Sequence, residues 1–224
     1  NSNKFDVIHV IHGRLHAIPA VFAAKWLGKP ILIKLGRGGK KYFDINVVRK
    51  KKVVGSFFSK YLIKNVSGWI ANSNQIVEDL KTNDIKNKFI YKIYNGIGIK
   101  NFKINKFRKN KTFIVIGRLD EEKFCDQIIS VFSKLPENLN VKLIFLGDGE
   151  CRSDLEKMTN QLNQSHRIFL KGVVKNVNDY LINCDFYLSA SSSEGMSNAL
   201  LESMALGVPA IVSNVSGVDE IIFD

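Results

Sequence analysis

Short, unbroken apolar runs recur along this chain with helical stretches between them, and that alternation limits the fold more than any other feature. "DVIHVI" (6–11), "ILIKL" (31–35), "GWIANS" (68–73) and "FIYKIYNGI" (89–97) lie in the first half. "TFIVIG" (112–117), "VKLIFLG" (141–147), "RIFLKG" (167–172), "DFYLSAS" (185–191) and "PAIVSN" (209–214) follow. The runs are continuous rather than alternating, as in strands covered by helices on both faces. Strand, helix and strand in close succession make a βαβ unit and favour a parallel sheet. In "AIPAVFAAKWLG" (17–28), Val21, Ala24 and Leu27 share a face and Gly28 suits a C-cap. A basic stretch over 47–65 reads as one helix. Further helices are predicted in "NQIVEDLKT", "DQIISVFSKL", "CRSDLEKMTNQL", "NVNDYLIN" and "NALLESMAL".

The polar, basic "IKNFKINKFRKNK" (99–111) separates two such series. The expectation is therefore an α/β protein of two Rossmann-like, doubly wound parallel-sheet domains, residues 1–105 and 106–224. The chain opens directly on a strand and stops at "DEIIFD", where a helix is expected to start, so both domains read as incomplete.

Charge divides along the same line. Residues 1–110 carry 23 Lys and Arg against 5 Asp and Glu, a net +18, whereas residues 111–224 carry 10 against 16, a net −6. A basic surface attracts nucleic acid, anionic lipid or phosphorylated ligands alike, and it also arises as plain lysine-rich solvated surface. Basic residues do not interleave with aromatics in any nucleic-acid-binding motif. No apolar run approaches the ~18 residues that a membrane span requires, and no signal peptide opens the sequence. Cys125, Cys151 and Cys184 form neither a zinc pattern nor a disulfide framework, which points to a reducing, cytoplasmic setting.

Open α/β sheets bind ligands at the carboxyl ends of their strands, so the informative residues follow each run. After "TFIVIG" come Arg118 and, five residues on, Lys123, a cation pair before a helix N-terminus. Such a pair suits an anionic ligand, although Asp120, Glu121 and Glu122 could equally balance it on a solvated turn. Gly147-Asp148-Gly149 after "LIFLG" reads as a tight turn. After "DFYLSAS", Glu194 and Gly195 form a turn, Ser197 or Asn198 caps the next helix, and Glu202 lies on it. The amides of Ser197 through Leu200 make an anion site there. An ionised carboxylate accepts hydroxyl hydrogen bonds, so two glutamates bracketing an anion cradle fit an extended ligand with a phosphate between hydroxyl groups.

These residues carry a family likeness. "SEGMSNALLESMALGVPAIVSNVSGVDEII" resembles the E-x7-E segment of retaining family 4 glycosyltransferases of the GT-B fold. "IANSNQIVEDL", "IYNGI", "VIGRLDEEK", "LIFLGDGECRSDLE" and "FLKGVV" agree in family order. The resemblance implies transfer of a sugar from a nucleotide-sugar, such as a UDP- or GDP-sugar, to a glycan or lipid-linked acceptor with retained anomeric configuration. It implies a place in bacterial surface polysaccharide synthesis. Arg118 and Lys123 would hold the donor diphosphate, with Glu194 near the transferred sugar and Glu202 on the ribose hydroxyls. Gly195, Met196, Ser197 and Asn198 would line phosphate or sugar, and Val173 would lie beside the base.

No metal or other cofactor is expected, because the cations take that role. Departures from the family pattern are clear after "ILIKL", where many members carry a histidine and this chain has Gly36 and Arg37, with Lys40 nearby. His12 and His16 in "HGRLH" read as turn residues rather than a metal pair. The basic half, with "RKKK" at 49–52, suits the anionic inner face of a plasma membrane. The alternatives are a basic nucleic-acid-binding protein and a GT-B-type nucleotide-sugar epimerase.

Overall fold

The computed structural model describes residues 4–39, 41, 43–51, 54–86, 89–98 and 111–222. The chain forms two compact units. One comprises residues 1–96 with 193–196 and 215–224, the other residues 97–192 with 197–214. Of the basic stretch 99–111, only Lys111 lies among the described residues, and it opens a strand.

The first unit is built on four parallel strands in chain order: β1 (Ile8–Ile11), β2 (Ile31–Lys34), β3 (Gly68–Ala71) and β4 (Ile90–Lys92). Helix α1 (Ala17–Trp26) connects β1 to β2 and buries Val21 and Ala24, as the predicted face requires. It closes at Gly28, whose φ of +63° lets the Lys29 amide reach back to the Ala24 carbonyl. The stretch predicted as one helix over 47–65 is two, α2 (Asp44–Arg49) and α3 (Gly55–Asn65). Gly55 abuts the end of α2 so closely that a Cβ there would lie 2.3 Å from the Val48 carbonyl oxygen. Helix α4 (Asn74–Thr82) begins at Ser73, whose hydroxyl accepts from the Ile76 amide.

Trp69, Ile31, Ile33, Leu35, Phe43 and Leu62 form the centre of this unit's core. Strand β1 departs from the expectation of two covered faces, because its residues alternate between half-buried and exposed and Ile11 is open to solvent. One face of β1 is thus less covered than the other, and β1 is outermost among the described strands of its sheet.

Residues 215–222 are tied to this unit by Glu220. Its carboxylate meets Lys92 Nζ at 2.7 Å, accepts from the Tyr94 hydroxyl at 3.1 Å and accepts from the Asn74 amide at the start of α4. Burial opposes ionisation of Glu220, but Lys92, the Asn74 amide and Tyr94 together hold its pKa below the usual carboxylate range. Around this carboxylate the chain makes turns over 216–221 in place of the helix expected at "DEIIFD".

The second unit has five parallel strands in the order β7-β6-β5-β8-β9. These are β5 (Lys111–Ile116), β6 (Val141–Leu146), β7 (Ile168–Leu170), β8 (Phe186–Ser189) and β9 (Ala210–Val212). Four helices alternate with them: α5 (Cys125–Ser133), α6 (Arg152–Gln161), α7 (Val177–Leu181) and α8 (Asn198–Ala205). Leu143, Phe145, Ile129, Phe132 and Leu155 are central to the core. Strand order runs outward from β5 in both directions, so the topological switch point lies between β5 and β8.

Candidate functional site

In the second unit the loops after β5, β6 and β7 are joined backbone to backbone. The Gly117 amide donates to the Leu146 carbonyl at 3.0 Å, and the Gly147 amide to the Gly172 carbonyl at 2.8 Å. The Leu119 amide donates to the Asp148 carbonyl at 3.0 Å. These approaches explain the glycines better than a simple turn does. Gly147 has φ +137°, and a Cβ on it would lie 1.8 Å from the Gly117 carbonyl oxygen. A Cβ at Gly149 would lie 2.3 Å from that of Leu119.

Both predicted cations sit on this platform at the switch point. Arg118 is exposed and pairs with Asp120 Oδ2 at 3.1 Å, while Asp120 Oδ1 is buried with no hydrogen-bond partner. Lys123 closes a 3₁₀ turn over Glu121–Lys123, and its side chain runs past Gly117, with Cε 3.7 Å from where a Cβ would stand. Phe124 then enters α5 with φ +45°, a costly conformation for a bulky residue and one that accumulates at functional sites. The loop after β8 joins the same turn, since the Ser192 amide donates to the Glu122 carbonyl at 2.9 Å. Val173 stands exposed just beyond β7, after Gly172 with φ +74°.

Ser197 is the N-cap of α8, and its hydroxyl accepts from the Leu200 amide at 3.3 Å. The Leu200 amide, predicted as part of the anion cradle, is therefore engaged by the cap itself. Asn198 is exposed in the first turn and Glu202 is half-buried one turn on. Burial pushes the Cys125 thiol up to about 12 and also raises that of Cys151. Neither supplies a thiolate near neutral pH.

Glu194, Gly195 and Met196 belong to the first unit. Gly195 is buried against the Gly36 carbonyl oxygen, which would lie 2.3 Å from a Cβ at 195. Gly217 closes on its other side with φ +84°, where a Cβ would lie 1.7 Å from the Gly195 carbonyl oxygen. Ser216 Oγ donates to the Glu194 carbonyl at 3.0 Å. The Asn95 side-chain amide donates to the Met196 carbonyl at 3.2 Å. The segment is thus clamped along its length, and Gly195 is there for close backbone approach rather than for a turn.

Sequence reasoning missed Gly217, Asn95 and the set formed by His12 and Asp44. Asp44 is fully buried and accepts from the Gly13 amide at 3.0 Å and from Arg14 Nε at 2.8 Å. Partners 30 residues apart leave no spacing signal, and only the three consecutive residues His12-Gly13-Arg14 hint at a shaped loop. His16 Nε2 lies 2.9 Å from the Ile11 carbonyl oxygen, which engages it within the loop. Lys40, considered beside Arg37, lies outside the described residues, as does Lys52 of "RKKK". Among the described residues no helix is long and apolar enough to cross a membrane.

Residues 97–224 match the family described as glycosyl transferases group 1. The chain is 30% identical over 178 residues to N-acetylgalactosamine-N,N'-diacetylbacillosaminyl-diphospho-undecaprenol 4-alpha-N-acetylgalactosaminyltransferase of Campylobacter jejuni, covering 77% of this chain and 48% of that one. It is 26% identical to N-acetyl-alpha-D-glucosaminyl L-malate synthase of Bacillus anthracis, covering 98% of this chain and 59% of that one. The chain spans about half the length of these curated relatives.

Among solved structures, HepE of Anabaena in complex with UDP and glucose superposes with a TM-score of 0.81 at 18% identity, over 98% of this chain and 62% of that one. That likeness shows the fold, two Rossmann-like parallel-sheet domains of the GT-B type. Neither the nucleic-acid reading nor the epimerase reading is favoured. Match and fold agree: the chain belongs to the glycosyl transferases group 1 family.

Proposed function

We propose that this chain carries the donor site of a retaining, family 4 glycosyltransferase that uses a nucleotide-sugar. The observation that carries the reading is the cation pair Arg118 and Lys123 at the β5 end of the switch point, on a platform knit from three strand-end loops. A diphosphate leaving group develops charge as the glycosidic bond breaks, and preorganised cations and amides stabilise that charge. Glu202 accepts the ribose hydroxyls, Glu194 meets the transferred sugar, and Val173 flanks the base. Ser197 and Asn198 lie at the phosphate, Gly195 and Met196 at the sugar. Front-face attack lets the leaving diphosphate accept the acceptor's proton, so no protein nucleophile is needed. The protein then acts by charge stabilisation and orientation, with Arg118 and Lys123 in place of a metal. The diphospho-undecaprenol in the name of the Campylobacter jejuni relative supports a lipid-linked glycan acceptor and a role in bacterial glycan synthesis.

Calorimetric titration with UDP, GDP and ADP tests the reading. One nucleotide should bind, and Glu202→Ala should weaken it by ten- to a hundredfold, the ~1.5–3 kcal/mol of a charged hydrogen bond. A folded chain that binds none of the three would refute the donor site.

We place the enzyme on the cytoplasmic face of a membrane through α1 and α3. Phe22 and Trp26 on α1 and Phe57 on α3 are exposed, and Phe22 stacks on Tyr61 with centroids 6.3 Å apart. Lys25, Lys60 and Lys64 are exposed on the same helices, which contain no acidic residue. Aromatic and lysine side chains together suit an anionic bilayer surface. Arg49 of "RKKK" instead donates to Asn83 Oδ1 at 2.8 Å. Trp26 is 85% exposed and Trp69 1%, so a lipid-dependent shift in tryptophan emission reports on Trp26. Vesicles rich in phosphatidylglycerol should shift that emission to the blue, reversibly with salt. Emission that stays unchanged with them would remove the membrane assignment.

A further inference from the structure

We propose that His12, set beside Asp44 and seated over Gly36, is the ligand-contacting residue of a sugar-hydroxyl subsite at the strand ends of the first unit. The proposal rests on the nucleotide-sugar reading above.

His12 follows β1 directly and has φ +68°, a left-handed conformation that a non-glycine residue adopts at a cost. Its amide donates to the Lys34 carbonyl at 2.7 Å, which fixes the residue beside the end of β2. There the ring lies on Gly36. A Cβ at position 36 would stand 2.4 Å from His12 Cε1 and 2.9 Å from Nδ1. Gly36 needs no left-handed backbone, so what the glycine supplies is room, for the ring and for the approach of Gly195 to its carbonyl.

Nδ1 is shielded from solvent and makes no hydrogen bond. It lies 3.5 Å from Oδ2 of the fully buried Asp44, the carboxylate that also holds Gly13 and Arg14. A carboxylate beside Nδ1 favours the tautomer protonated there, which leaves Nε2 as the acceptor. The side chain is nevertheless 44% exposed, so the open part of the ring is the part remote from Nδ1. A strained, braced imidazole with one nitrogen turned inward and the other available is built to meet a hydroxyl. Its place supports the same assignment, since Gly36 contacts both this ring and the Glu194–Met196 segment. The hydroxyl belongs to a sugar ring, of the donor or of the acceptor.

The test follows the imidazole Cε1–H signals of the full, histidine-labelled chain by NMR, with His12 identified among the four histidines by its loss in His12→Gln. UDP-glucose and UDP-N-acetylglucosamine form the donor arm, methyl α-glucoside the acceptor arm, and UDP the control. The His12 signal should move with a sugar-bearing probe in one arm and stay in place with UDP. His12→Ala and Gly36→Ala should each lower kcat/KM for sugar transfer or donor hydrolysis by roughly threefold to tenfold while UDP affinity holds within twofold.

A His12 signal that ignores every sugar while calorimetry shows UDP bound would overturn the subsite alone. So would equal movement with UDP, or a Gly36→Ala chain as active as the parent. A flat titration with UDP, GDP and ADP defeats the donor-site reading instead, and the subsite falls with it.

Discussion

Lys123→Ala should lower kcat by roughly a hundred- to a thousandfold while leaving the fold intact. That is the usual cost of removing one preorganised charge-stabilising group from an active site. Lys123 is the better candidate of the two cations for this loss. Arg118 is exposed whereas Lys123 is half-buried, and a charge held further out of water acts more strongly. Lys123 is carried by a short 3₁₀ turn whose neighbour Glu122 is bonded to the loop after β8, and its side chain lies along Gly117 at the end of β5. It is half-buried and contributes little to the core, so the melting temperature should scarcely move. Initial rates at saturating nucleotide-sugar, with a thermal melt in parallel, decide the matter. A kcat within threefold of the parent would remove Lys123 from the catalytic groups.

Gly147→Ala should destabilise the chain by roughly 2–5 kcal/mol, combining backbone strain with overpacking. The new methyl would meet the Gly117 carbonyl oxygen at 1.8 Å, and backbone cannot step aside as a flexible side chain can. Relief requires the loops after β5 and β6 to part, which pulls Arg118 and Lys123 off their platform. Gly28→Ala is the matched control. It too has a positive φ, +63°, but nothing lies within 4 Å of its Cβ position, so only the left-handed penalty of about 1–2 kcal/mol applies. Urea denaturation of the two variants should separate these values. Equal midpoints would mean that the close approach carries no energetic weight.

The strands were legible because each is an unbroken apolar run that a parallel sheet needs, and "NQIVEDLKT" marked α4 to the residue. The placement of Arg118 and Lys123 after β5 and of Glu202 on α8 was legible for a different reason. A strand end followed by a helix start is a local pattern, and charged residues there have a chemical use.

What the sequence concealed was the meaning of its glycines. Gly55, Gly149 and Gly195 admit carbonyl oxygens yet read as a helix residue and as turns, and Gly36 admits a histidine ring yet read only as a departure from the family pattern. Spacing along a chain carries no record of what approaches from thirty or a hundred residues away. The Asp44 brace on His12, Gly13 and Arg14 was hidden by the same distance.

The routing of the chain has a consequence for synthesis. Ser193–Met196 reaches the first unit only after β5 through β8 of the second have been made, and the Glu220 segment only after α8 and β9 as well. Until Glu220 emerges from the ribosome, the amide of Asn74, the ammonium of Lys92 and the hydroxyl of Tyr94 wait without the carboxylate that joins them. The second unit is thus enclosed in sequence between segments of the first, and a translational pause inside it would hold both unfinished together.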